Sequence, residues 1–215
     1  MKTDLELMND ENSNVRWEVA KKINIEHLPK MMNDENYYVR LQVAARIASE
    51  GGAFAREHLP KMMNDEGSHV RREVAKRIGV EHLPEMMNDK DYYVRFEVAE
   101  RIGDEGGAFA NEHLPKMMND EDSHVRREVA KRIDPEHLPK MMNDKDYIIR
   151  LQVARRIDPK YLPMIMNDKE PGICLVIAER IDPKFLGEMF GFDFDPKYQM
   201  GLIKVLAERE DLRRA

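Results

Sequence analysis

The sequence has a single cysteine, Cys174, among its 215 residues. One thiol excludes an internal disulfide and any site that needs several cysteine ligands. Cys174 therefore reads as a small buried side chain. Long apolar runs are missing too. The start, Met1-Lys2-Thr3-Asp4-Leu5-Glu6, has no hydrophobic core of a signal peptide, and no stretch approaches a membrane span. The cytoplasm is the expected location. A basic excess is also lacking: the formal charge is −6. No global field draws the chain to nucleic acid or to an anionic membrane. Catalytic signatures are missing as well. There is no P-loop, no Gly-x-Gly-x-x-Gly, no nucleophile elbow and no His-Glu-x-x-His. No reaction, cofactor or metal is expected.

What is present is repetition. An anchor valine or isoleucine falls at Val15, Val39, Val70, Val94, Val125, Ile149 and Ile173, with gaps of 24, 31, 24, 31, 24 and 24 residues. Each unit reads Asn-Asp, four variable residues, Val-Arg-x-x-Val-Ala-x-Arg-Ile, and a segment ending Leu-Pro-x-Met-Met. The longer gaps hold a seven-residue insertion, within Ala48–Arg56 and again within Gly103–Asn111. It reads as a loop punctuated by Gly51-Gly52 and Gly106-Gly107. The 55-residue double period indicates duplication of a two-repeat block.

On a wheel of about 100° per residue, Val39, Val43, Ile47 and Ala44 share one apolar stripe. An α-helix is expected over residues 36–47, with Asn33-Asp34 as its N-cap region. In Asp134-Pro135-Glu136-His137-Leu138-Pro139, the second proline has no N–H to give an α-helical bond. A 3-10 turn tolerates that. One α-helix and one 3-10 or very short helix are expected per repeat, without sheet. A 24-residue unit cannot bury its own apolar face, so the units must stack into a solenoid. Residues 1–190 are assigned to repeats and 191–215 to a helical cap, begun by Asp195-Pro196 and ending in a solvated Glu208–Arg214.

Val-Arg-x-x-Val-Ala-x-Arg-Ile followed by Asp-Pro-x-x-Leu-Pro, seven times in register, resembles the leucine-rich repeat variant family. The resemblance implies alternating α and 3-10 helices in an all-α, right-handed superhelical solenoid. Some members carry a cysteine-rich iron–sulfur domain; Cys174 alone offers no ligands for one. The family implies no reaction and no general ligand. The repeats also share an Asp-x5-Arg spacing with HEAT repeats, which use it for a ladder between neighbours.

Five groups of residues are candidates for function. Arg16, Arg40, Arg71, Arg95, Arg126 and Arg150 recur at the repeat spacing. Each follows an aspartate by six positions: Asp10, Asp34, Asp65, Asp89, Asp120 and Asp144. A phosphate-binding stripe is one reading. However, Arg40 falls inside the buried stripe, where a guanidinium needs acceptors, so a structural ladder is preferred. A second row, Lys22, Arg46, Arg77, Arg101, Arg132, Arg156 and Arg180, sits at helix C-termini, where a cation suits the dipole; the other reading is a row for an acidic partner. His27, His58, His82, His113 and His137 occur once per repeat, too widely spaced for chelation, and Tyr161 and Phe185 take their place later. They read as half-buried aromatics. One methionine of each Met-Met pair is expected in the core. Finally, alternate repeats carry Tyr37-Tyr38, Tyr92-Tyr93 and Tyr147, with Leu41, Phe96 and Leu151 on the same face. Such a patch fits a protein partner; the other reading is that Phe54 and Phe109 of the insertions fill it. A protein-interaction scaffold is expected, with nucleic-acid binding as the alternative.

Overall fold

The computed structural model describes residues 3–189 and 196–209. The chain divides into two compact units, Met1–Phe109 and Ala110–Ala215. The first holds α1 (Asp4–Leu7), α2 (Ser13–Lys22), α3 (Tyr37–Glu50), α4 (Gly52–His58), α5 (Ser68–Ala75), α6 (Leu83–Met86) and α7 (Tyr92–Glu105). Its 3-10 segments are Ile25–Met31, Leu59–Met62 and Val80–His82. Helix α8 (Gly107–Met117) contains the boundary. The second unit holds α9 (Ser123–Arg132), α10 (Tyr147–Arg156), α11 (Pro171–Arg180), α12 (Leu186–Met189) and α13 (Pro196–Glu208). Its 3-10 segments are Pro135–Met141, Pro159–Met164 and Pro183–Phe185. Among the described residues there is no strand.

Within each unit the main helices stack in chain order: α2 on α3, α3 on α5, α5 on α7, and then α9 on α10, α10 on α11, α11 on α13. Helices of about ten residues are marginal alone, so tertiary burial must hold them. The apolar stripe supplies it. Val39, Val43, Ala44 and Ile47 of α3 are fully buried, as are Ile149, Val153 and Ala154 of α10. The 3-10 segments add Leu28, Leu59, Leu138 and Leu162, also fully buried. Their first methionines, Met31, Met62 and Met141, are core residues, while Met32, Met63 and Met142 are half-buried.

Four expectations need correction. First, the N-cap is not Asn33-Asp34 but the residue two positions later. Asn36 caps α3 by accepting from the Tyr38 amide, and Asp91 and Asp146 do the same for α7 and α10. Asp34 instead accepts from the amide of Asn36 itself, at 2.8 Å. This leaves its carboxylate fixed before the helix begins.

Second, the insertions are helical rather than loops. α3 and α7 each run 14 residues, against 10 in α2, α9, α10 and α11. The chain then turns at Gly51-Gly52 and at Gly106-Gly107, all four with positive φ. Only glycine adopts that conformation without strain. A further helix follows each pair.

Third, the 3-10 rule holds at Pro139 and Pro163 but fails at Pro115, which lies inside the α-helix α8. The insertion lengthens that segment into an 11-residue helix, and it absorbs the proline.

Fourth, the end of the expected helical cap is less solvated than its charges suggest. α13 packs on α11 with Leu202 buried. Arg209 is half-buried rather than solvated. Asp195 and residues 210–214 of the expected cap lie outside the described residues.

Candidate functional site

The first arginine row is turned into the stack. Arg16, Arg40, Arg71, Arg126 and Arg150 are each 6% exposed or less. In each, Nε and Nη2 grip the aspartate of the following repeat: Arg16 on Asp34, Arg40 on Asp65, Arg71 on Asp89, Arg126 on Asp144 and Arg150 on Asp168, with Nε distances of 2.6–2.7 Å. Nη1 donates to the backbone carbonyl of the aspartate six residues earlier, at 2.8–2.9 Å, in these five and in Arg95. One guanidinium therefore joins two repeats, through a carboxylate above and a peptide carbonyl below. Each aspartate is held from its own side by an amide two residues on. The bidentate fork suits this geometry in a way a lysine cannot.

The spacing of six residues brought the right residue types to notice, but not the pairing. The aspartate before each arginine gives its carbonyl; its carboxylate serves the repeat before. Asp168 is consequently a ladder residue, although no arginine follows it. Cys174 stands at that place, and its Sγ lies 3.2 Å from the Asp168 carbonyl that an arginine would otherwise reach. Burial pushes the Cys174 thiol up to about 12, which leaves it protonated and inert. The persistence of Asn167-Asp168 in a repeat without arginine was the signal for this last rung.

Burial alone would raise the carboxyls of Asp89, Asp144 and Asp168. Hydrogen bonds from Arg71, Arg126 and Arg150, from the next backbone amides, and the guanidinium charges outweigh it and hold all three below the usual range. A lowered folded pKa adds stability that is present above the unfolded value and lost as pH falls through the folded one. The melting temperature is therefore expected to be level near neutrality and to fall below about pH 4. Thermal melts across that range check this; an unchanged melting temperature down to about pH 3 would contradict it.

The second arginine row caps helices, but not the helices that carry it. Arg46 donates to the carbonyls of Ala20 and Ile23 at the end of α2, at 2.9 and 2.7 Å. Arg101 does the same for Ala75 and Ile78, and Arg156 for Ala130 and Ile133. Arg180 reaches Ala154 and Ile157, and Arg209 reaches Ala178 and Ile181. Terminal carbonyls have no partner within their own helix, so an arginine from the next repeat completes them. Arg77 does not take this role: it is exposed and donates to the neighbouring Lys76 carbonyl. The helix before it, α3, continues past Ile47, whose carbonyl accepts from Gly51. No open helix end remains for Arg77 to cap. Lys22 pairs with Asp4, and Arg132 with Glu128 in its own helix.

The histidines divide by repeat type. His58 and His113, which follow the insertions, are buried; His27, His82 and His137 are half-buried. No cluster of three metal-ligating side chains occurs among the described residues. Phe54 packs edge-on against His58 with centroids 4.4 Å apart. That contact lies within α4.

The tyrosines remain at the surface. Tyr38, Tyr93 and Tyr147 are 57%, 49% and 51% exposed, and Tyr37 is 38% exposed. Tyr92, Leu41, Phe96 and Leu151 are half-buried beside them. Tyr37 stacks on Tyr38 and Tyr92 on Tyr93, at 4.0 and 4.1 Å between centroids. Arg72 lies over Tyr93 at 5.3 Å and pairs with Glu97. These rings sit at the N-terminal start of their helices.

Stacked α and 3-10 helices joined by buried arginines define a helical repeat protein. A solved leucine-rich repeat variant, described as having a novel repetitive structural motif, superposes with a TM-score of 0.79 at 30% identity, covering 94% of this chain and 80% of that one. The chain belongs to the leucine-rich repeat variant family. A chain of the S. pombe condensin Cnd3–Cnd2 subcomplex also superposes, with a TM-score of 0.51 at 17% identity, over 98% of this chain and 32% of that one. That likeness is one of fold. No protein-family model matches the sequence, and no curated protein does.

Proposed function

We propose that this protein is a non-enzymatic scaffold that binds a protein partner through the tyrosines of its alternate repeats. The observation that carries this reading is the exposure of Tyr38, Tyr93 and Tyr147, each about half accessible within the first two residues of its helix. Tyrosine contributes large contact area at low conformational cost, and it is enriched where binding energy concentrates. The stacked pairs and the Arg72 contact hold the rings in place before any partner arrives, which lowers the ordering cost of binding. The nucleic-acid alternative has less support, because most of the arginines that suggested it hold aspartates or helix ends.

The test is a pull-down from the source lysate with wild type beside Tyr38→Ala/Tyr93→Ala/Tyr147→Ala, each checked by circular dichroism. Truncated hot-spot residues cost about 2 kcal/mol or more each. The folded triple variant is therefore expected to lose its partner by well over a factor of ten. Equal capture by both proteins would remove the tyrosines from the site. Recovery of nucleic acid alone, released by moderate salt, would overturn the function.

A further inference from the structure

Arginine carries five N–H donors in a planar fork. The ladder does not use them equally. Arg16 fills all five: Asp34 takes two, the carbonyls of Asp10 and Glu11 take two, and the Glu35 carboxylate takes the last, on Nη2 at 2.9 Å. Arg40 repeats this with Asp65, the carbonyls of Asp34 and Glu35, and Glu66 at 2.8 Å. In Arg71, Arg126 and Arg150 only four are filled. Their Nη2 donates once, to Asp89, Asp144 or Asp168, and has no second acceptor among the described residues. The residues that stand in the place of Glu35 and Glu66 are Lys90, Lys145 and Lys169, all exposed. Where the fifth donor is open, a cation has replaced the carboxylate that would fill it.

At Arg150 two lysines line the same cleft. A cleft of about 360 Å³ is lined by Arg150, Lys145, Lys169, Asp144, Asp168 and Met164. Its counterpart at Arg40, of about 350 Å³, has Glu35 and Glu66 where the lysines stand. The floor is the same and the rim has the opposite charge.

We propose that the Arg150 cleft is a seat for a carboxylate side chain of an acidic protein segment, which takes on Nη2 the place that Glu35 takes on Arg16, flanked by Lys145 and Lys169. The chain supplies its own template, since Glu35 shows that a carboxylate fits the position with hydrogen-bond geometry. Glu35 is 82% exposed while making that contact. The seat therefore lies at the rim, and an incoming side chain reaches it without parting the repeats. A nucleic-acid backbone fits less well. The open donor is a single N–H that one side-chain carboxylate fills, whereas Asp144, Asp168 and Glu170 flank it and would repel the closely spaced charges of a continuous phosphate backbone more than those of flexible, separately placed side chains. The inference shares with the tyrosine reading only the assumption of a protein partner, and it describes a separate contact.

The test is fluorescence anisotropy with a labelled oligoglutamate peptide at low ionic strength, where charge contacts are least screened. Wild type is expected to bind saturably. Lys145→Glu/Lys169→Glu closes the seat from within, and is expected to weaken binding about tenfold or more with no loss of thermal stability. Lys145→Gln/Lys169→Gln, which removes the cations without adding an acceptor of full charge, is expected to fall between the two. Lys160→Glu/Lys184→Glu carries the same charge change at exposed positions elsewhere, and is expected to bind within about threefold of wild type. The tyrosine triple variant is expected to bind the peptide as wild type does. The proposal is overturned by no saturable binding, by equal loss in both glutamate variants, or by an oligonucleotide that binds with the same dependence on the two lysines. Failure of the peptide with tyrosine-dependent capture intact would sink the seat and leave the protein-binding function standing.

Discussion

Arg40→Ala is expected to destabilise the protein by about 3–5 kcal/mol, the range for removing one partner of a buried ion pair. The substitution strips Asp65 of its two guanidinium contacts while that carboxylate stays 7% exposed, and it leaves the carbonyls of Asp34 and Glu35 without their donor. Arg40→Lys is expected to recover a minor part. A single ammonium cannot serve a bidentate carboxylate and two carbonyls on opposite sides. Total stabilities are about 5–15 kcal/mol, so the loss is large enough to read in urea unfolding. In a stacked array each unit contacts only its neighbours, and a weakened interface uncouples what lies on either side. The unfolding curve of Arg40→Ala is therefore expected to broaden or split as well as shift. A shift below about 1 kcal/mol would show that the ladder is dispensable.

Arg46→Ala and Arg77→Ala are expected to differ, although the two arginines occupy the same position of the repeat. Arg46 is half-buried and gives hydrogen bonds to two helix-terminal carbonyls, Ala20 and Ile23. Bonds to a charged donor contribute about 1.5–3 kcal/mol, and buried acceptors left open cost about as much again as a neutral bond. A loss of about 2–3 kcal/mol is expected for Arg46→Ala. Arg77 is exposed and faces a helix that has not ended, so its loss is expected to stay within about 0.5 kcal/mol. Chemical denaturation of the two variants side by side reads the difference directly. Equal effects would mean that capping of the preceding helix is not the role of this row.

Much of the fold was legible because the apolar stripe recurs with fixed spacing, and stacking is the one arrangement that buries it in every unit. Val39, Val43 and Ile47 illustrate this: their period fixed both the helix and its buried face. The ladder residues were legible as types, since Arg40 falls inside that stripe and cannot be buried without acceptors. The pairing was not legible. Asp34 and Arg40 are close in sequence, which suggests a local bond, yet the turn that begins at Asp34 points its carboxylate at Arg16. Only the path of the turn, set by the amide of Asn36, decides between them. The second row was hidden for a similar reason: Arg46 near a helix end looks like a dipole contact with its own helix, and its acceptors lie 23 and 26 residues away. The insertions were misread because Gly51-Gly52 looks like loop punctuation. The two glycines form a tight reversal between helices, and the flanking Ala48, Ala53 and Ala55 are strong helix formers.

These assignments leave the surface division of labour plain. Most of the two arginine rows joins repeats, the histidines pack, and the tyrosines of alternate repeats stay at the surface. The most direct test of that division is hydrogen–deuterium exchange of the protein with and without its captured partner. Helix-start amides such as Tyr37 and Tyr92 have no intrahelical acceptor and are expected to exchange readily in the free chain. New protection is expected over residues 37–41, 92–96 and 147–151, with the fully buried core unchanged. Protection confined to the 3-10 segments, or to Lys22, Arg77 and their neighbours, would contradict the account.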